Sequence, residues 1–199
     1  MITLRPFVDT DLDLVLTWRN APEIASYMYG DRVITTDEHT RWFASLPGDL
    51  TKQYWMICQD ETDVGVAYVY DIDSHNSRAS WGFYIAVKTA RGHGTGYFVE
   101  VMVLAFAFDY LNLNKLCCEI FSKNKAVWSM HEKCGFQNEG IFQDHIFKDD
   151  VFHDVIVMGI SHEGWQEVRG IHLKRLDRRG HIMPDFSNCV PNPLNSEKA

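Results

Sequence analysis

The stretch "RGHGTG", Arg91 to Gly96, sets three glycines between an apolar run, "WGFYIAV", and a long apolar segment, "YFVEVMVLAFAFDYL". A chain built this way leaves a strand, turns through backbone conformations that glycine tolerates best, and enters a helix that is apolar all round and therefore buried. The junction gathers backbone N–H groups at a helix N-terminus, where the partial positive charge suits phosphate, and Arg91 adds a guanidinium beside them. Two common phosphate loops do not fit. A dinucleotide fold would place G-x-G-x-x-G after a first strand in a parallel βαβ unit, whereas this turn comes in mid-chain, and a P-loop would need Gly-Lys-Ser/Thr.

The rest of the chain is readable around that junction. "ITLRPFV" is a first strand, and "TDLDLVLTWRN" a helix with Thr10 or Asp11 as its cap, interrupted or restarted at Pro22. "TTDEHTRWFASL" is a second helix capped by Thr36 or Asp37. "QYWMICQ", "VGVAYVYDID" and "RASWGFYIAV" read as an antiparallel meander. The buried helix runs from about Gly96 to Leu111. "KLCCEIF" is then a strand, "NKAVWSMHEKC" a helix stopped by Gly135, and "GIFQDHIFKDDVFHDVIVMGI" a hairpin turning near "KDD". The order β-α-α-β-β-β-α-β-α-β-β predicts an α/β fold on one mixed sheet, in a single domain over residues 1–160. Residues 161–199 form an extension with a peripheral helix and a polar, proline-bearing tail that frays.

Composition narrows the function. A formal net charge of −8 over 199 residues argues against a general nucleic-acid binder, which needs clustered Lys and Arg. No apolar run reaches the roughly 20 residues of a membrane span, and the N-terminus lacks the apolar middle of a signal peptide. A cytoplasmic protein acting on a small molecule or another protein is expected. The five cysteines, Cys58, Cys117, Cys118, Cys134 and Cys189, match no zinc spacing, and no metal is expected.

The spacing Arg91, Gly94, Gly96 resembles the R-x-x-G-x-G pyrophosphate loop of the Gcn5-related N-acetyltransferase (GNAT) superfamily. Downstream, "NKAVWSMHEKCGF" is similar to that family's N-x-x-x-x-x-x-Y-E-K-x-G-F helix, with Asn124, Glu132, Lys133, Gly135 and Phe136 in place. The resemblance implies acetyl-CoA as co-substrate. It implies that the loop amides from Gly92 through His93, Gly94 and Thr95 to Gly96 bind the pyrophosphate, that Asn124 contacts the coenzyme, and that the backbone around Ile85 and Val87 pairs with the pantetheine arm.

The N-terminal pattern "WRN-P-IA--MY", Trp18 to Tyr29, with "ITTDEHTRWF" and the closing hairpin, resembles a narrower branch of the family. That branch acetylates the 4-amino group of a UDP-linked 4-amino-4,6-dideoxy sugar on the way to pseudaminic acid. By this likeness Arg19 and His39 handle the diphosphate, and Met28, Tyr29 and Trp42 pack the uracil and sugar, with Tyr84 as a further substrate contact. Arg and His suit phosphate oxygens, and flat or thioether side chains suit a base.

The chemistry is amine attack on a thioester, so an ammonium proton must leave and the departing thiolate must be protonated. Glu119 is expected to be the base or amine-orienting group. The acid position, usually Tyr in the superfamily, is His131 here, which is able to serve as the acid; Ser129 is another donor. Two alternatives are a ribosomal-protein-type N-terminal acetyltransferase and a non-catalytic acetyl-CoA-binding module. The C-terminal helix has two roles open to it, covering a sheet face or joining a homodimer.

Overall fold

The computed structural model describes residues 1–190. Strands β1 (Ile2–Pro6), β2 (Gln53–Gln59), β3 (Thr62–Asp73), β4 (Arg78–Ile85), β5 (Lys115–Phe121), β6 (Gln137–Lys148) and β7 (Val151–Ser161) make one sheet in the order β1-β2-β3-β4-β5-β7-β6. All neighbours pair antiparallel except β4 and β5, which run parallel and pair only over Arg78–Ser80 against Lys115–Cys117. Beyond those three positions the two strands part, and the sheet opens into a wedge. The meander and the expected element order are both present.

The period of two along β2 sorts its side chains onto two faces. Trp55 and Ile57 enter one apolar cluster, Met56 and Cys58 another. On the second face lie α1 (Leu12–Asn20), the single turn α2 (Pro22–Ala25) and α3 (Thr36–Ala44), which contribute Val15, Ile24 and Trp42. The first face is covered by α4 (Thr95–Ala105), from which Val99 and Val101 to Leu104 are wholly buried. A π-helical turn, Phe106–Tyr110, ends this segment, with Leu111 N–H donating to the Phe106 carbonyl at 2.9 Å. α5 (Lys125–Lys133) leads to Gly135, which takes φ 103° as a helix-terminating residue. The β6–β7 hairpin turns through Asp149 and Asp150, both at positive φ.

Two helix caps need comment. Asp11 is the N-cap residue of α1, as one of the two candidates, but its side chain does not bond the helix amides: its carboxylate accepts from Val8 N–H and from both terminal nitrogens of Arg5, closing the turn before the helix. Thr10 lies in that preceding turn. The cap of α3 is Thr35 rather than Thr36 or Asp37, because only Thr35 stands three residues before Glu38 and exchanges hydrogen bonds with it.

The extension is not peripheral. α6 (His162–Arg178) buries Trp165, His172 and Leu176 against the α4 face, and the π-turn residue Asp109 accepts from Trp165 Nε1 and Arg169 Nε. The tail expected to fray is packed as far as Val190, whose N–H donates to Gln53, while Phe186 meets the rings of Trp55, Phe106 and Tyr110. The remainder of that tail, 191–199, lies outside the described residues.

Candidate active site

Where β4 and β5 part, a cleft of about 1340 Å³ opens, lined by Trp81 to Ile85 on one side and Cys118 to Phe121 on the other. It reaches the glycine loop on the α4 face and the side chains of α1 to α3 on the other. Every predicted site residue lines it except Val87 and the alternative donor Ser129. Val87 N–H donates to the Val64 carbonyl and its own carbonyl accepts from Ala90, so neither group is free to pair with a coenzyme arm.

The loop is built as its glycines require. Gly92 and Gly94 have φ of 83° and 85°, which a side chain rarely adopts. A Cβ on Gly92 would meet nothing within 4 Å, so the space over the loop is open to a ligand. Gly96 serves a different end: its Cβ would stand 3.1 Å from Phe83 and 3.2 Å from the Met130 sulfur, so glycine lets the first turn of α4 pack against β4 and α5. The first intrahelical bond runs from Phe98 N–H to the Gly94 carbonyl at 3.1 Å, leaving earlier amides at the helix N-terminus without helical partners. Thr95 turns its hydroxyl inward to the Ala90 carbonyl and Gln59, while His93 stays exposed at the mouth. These features fit a pyrophosphate.

Arg91 is placed differently from the expectation. Its Nε donates to the Ile85 carbonyl at 2.8 Å and its Nη2 to the Ala86 carbonyl at 3.0 Å. The guanidinium therefore fastens the end of β4 to the loop. Asn124 stands just before α5, its N–H donating to the Phe121 carbonyl and its carbonyl accepting from Val127 and Trp128, with its side chain on the cleft.

His131, on the cleft wall, has its Nδ1 2.8 Å from Glu100 Oε1, and both residues are almost wholly buried. That contact commits Nδ1 to Glu100 and leaves Nε2 as the other ring nitrogen. The other oxygen of Glu100 has no hydrogen-bond partner among the described residues. Burial, and then that same carboxylate, push the neighbouring Cys134 thiol far above its ordinary range. Glu100 was missed from the sequence, although a lone carboxylate in "YFVEVMVLAF" has to find a partner when buried. Ser129 does not line the cleft.

Glu119 is exposed at the wedge and accepts from the Tyr29 hydroxyl at 2.7 Å. Burial, and then that carboxylate, push the Tyr29 phenol well up. The ring of Tyr29 rests edge-on against Phe121, and Lys148, buried in β6, donates to the Gly30 carbonyl at 2.8 Å, so the closing hairpin ties down the segment carrying Tyr29.

On the α1 to α3 side of the cleft Arg19 sits near the hydroxyls of Tyr54, Tyr68 and Tyr84 and enters no ion pair among the described residues. Burial pushes the Tyr54 phenol up to about 12. The Tyr84 hydroxyl is buried without a hydrogen-bond partner among the described residues. Trp42 lies edge-on to Tyr54 at 5.2 Å, and Met28 completes the apolar wall. His39 departs from the expectation of a cation facing phosphate. It is buried, its Nε2 lies 2.9 Å from the Leu12 carbonyl, and burial holds its pKa below the usual value. It joins α3 to α1 as a neutral ring.

All five cysteines are free thiols, and among the described residues no group of three or more His, Cys, Asp or Glu stands together as metal ligands. No helix of the described residues is long and apolar enough to cross a membrane.

Comparison with known proteins agrees with this geometry. The family described as an acetyltransferase (GNAT) domain matches residues 1–137. The chain is 27% identical to the Acetyltransferase PseH of Campylobacter jejuni (strain 81-176) over 139 residues, spanning 68% of this chain and 85% of that protein. It is 23% identical over 155 residues to the spermidine N(1)-acetyltransferase of Vibrio cholerae, spanning 77% and 89%. The crystal structure of spermidine N-acetyltransferase from Vibrio cholerae in complex with CoA and spermine superposes with a TM-score of 0.78 at 22% identity, covering 83% of this chain and 98% of that one.

Proposed function

The chain belongs to the GNAT acetyltransferase family, and on that footing we propose that it moves acetyl from acetyl-CoA to the 4-amino group of a UDP-linked 4-amino-4,6-dideoxy sugar, in the cytoplasm, as a step toward pseudaminic acid. The observation that carries the acceptor assignment is Arg19, a cation with no ion-pair partner among the described residues, set near Tyr54, Tyr68 and Tyr84 in a cleft that Trp42 and Met28 also line. One cation among aromatic faces suits a diphosphate joined to a flat base. A polyamine would meet a like charge there.

Acetyl-CoA supplies an electrophilic thioester carbonyl. The loop from Gly92 to Gly96 holds its pyrophosphate, with Asn124 and the edge of β4 along the arm. Glu119, oriented by Tyr29, takes the ammonium proton so that the nitrogen lone pair forms the new C–N bond. As the C–S bond breaks, His131 with both ring nitrogens protonated, Nδ1–H held by Glu100, gives its Nε2 proton to the leaving sulfur, and the second proton of the attacking nitrogen passes to solvent as the amide forms.

The test is free-thiol release from acetyl-CoA with the UDP-linked 4-amino-4,6-dideoxy altrosamine derivative, its D-configured isomer, spermidine and a basic N-terminal peptide. We expect kcat/KM for the first to exceed that for spermidine and for the peptide by at least about 100-fold. Preference for spermidine or the peptide overturns the acceptor assignment, and no turnover despite tight acetyl-CoA binding makes the protein a binding module.

A further inference from the structure

α6 lies beyond the stretch that matches the family, yet it reaches the coenzyme end of the cleft. Arg175 and Arg179, one helical turn apart at its C-terminal end, line the cleft together with Lys133 from the last turn of α5. None of these three cations enters an ion pair with a carboxylate among the described residues, on a chain whose net charge is −8. Basic groups that line the same cleft of an acidic protein with no carboxylate partner among the described residues call for an anion.

Their position is fixed by packing on both sides. The Arg175 guanidinium lies 4.7 Å over the ring of Tyr97, the residue that follows Gly96 in the first turn of α4. Tyr97 in turn has its hydroxyl 2.6 Å from His172 Nδ1, so the ring under Arg175 is held by α6 itself. Two residues past Arg179, His181 accepts from the Ile2 N–H and its ring meets Phe98 at 4.1 Å. Phe98 lies 3.4 Å from where a Cβ on Gly94 would stand. Arg175 therefore overhangs the same turn that presents the loop amides, and Arg179 follows it one helical turn on, also on the cleft wall.

The loop amides already account for the pyrophosphate. Coenzyme A carries one further phosphate, a monoester on the 3′-oxygen of its ribose, on the side of the pyrophosphate away from the thioester. We propose that Arg175 and Arg179, with Lys133 from the same cleft wall, form a subsite for this 3′-phosphate, so that the C-terminal extension is part of the coenzyme site. Two forks of N–H donors and an ammonium match the terminal oxygens of a phosphate monoester.

The experiment is calorimetric titration of the full chain with coenzyme A and with 3′-dephospho-coenzyme A. Because no acceptor is present, the result is independent of which amine is acetylated. We expect the wild-type protein to bind coenzyme A roughly tenfold or more tightly than the dephospho form, with the ratio shrinking as salt is raised. The double variant Arg175→Gln, Arg179→Gln is expected to lose that preference while binding the dephospho form within about twofold of wild type. Equal wild-type affinities overturn the proposal, and so does a variant that weakens both ligands alike, which would assign the arginines to the pyrophosphate or to packing. Arg179→Gln alone, at an exposed position, serves the same comparison if the double variant does not fold.

Discussion

His131 occupies a position where the family usually carries a tyrosine, and the structure explains how an imidazole is accommodated. A phenol needs no partner behind it, whereas a buried imidazole has two nitrogens to satisfy. Glu100, projecting from the otherwise apolar α4, meets Nδ1, and the ring is packed among Trp81, Phe83 and Phe136. His131→Phe is expected to lower kcat about 100-fold with little change in KM for acetyl-CoA. Glu100→Gln keeps the volume but leaves Nδ1 facing either end of an amide, and should lower kcat by a smaller factor while moving the pH profile of kcat. Steady-state kinetics across pH on both variants checks this, and normal turnover in His131→Phe would remove it from the acid role.

Among the elements, α3 shows how a local cap reaches the site. Thr35 and Glu38 exchange hydrogen bonds at its N-terminus, and the helix then presents His39 to α1 and Trp42 to Tyr54. Thr35→Ala is expected to cost about 1 kcal/mol of stability, read by denaturant unfolding, and to raise KM for the acceptor more than KM for acetyl-CoA. The strands were the most legible elements, because Val, Ile, Tyr and Trp cluster in β2 to β5 between polar turns, and "KLCCEIF" became β5 residue for residue. The caps were less so: Thr35, Thr36 and Asp37 all carry side chains able to cap, and only the reciprocal bond to Glu38 selects among them. The tail misled because its polar composition hides Phe186, whose burial depends on Trp55 and Phe106, far away in sequence. In the site, a motif identifies the loop but does not tell that Arg91 is committed to the carbonyls of Ile85 and Ala86. Nor does it tell that Tyr29 and Glu119, 90 positions apart, share a hydrogen bond.

For the whole molecule, pH sensitivity follows from histidines buried in the neutral form. Burial holds His39, His172 and His181 below their ordinary value of 6.5. Below that pH the unfolded chain takes up protons that the folded chain refuses, so stability is complete above about 6.5 and falls as pH drops. Asp11 adds to the loss at lower pH: burial opposes its ionisation, but hydrogen bonds from Arg5 and Val8 prevail and hold its pKa below the usual carboxylate value. The melting temperature is expected to decline between pH 7 and pH 5, before most carboxylates titrate, and a flat profile over that range would contradict the lowered pKa values of the three rings, two buried and His181 half-buried.

The parting of β4 and β5 makes the sheet a partition with an opening in it. Glycine loop, α4 and α6 stand on one side, and α1 to α3 with Arg19 and Trp42 on the other. With the sides assigned as proposed, mutation on the second has access to acceptor choice without disturbing the donor machinery, and a lineage with this architecture would be free to exchange one amine for another while its acetyl chemistry is inherited intact.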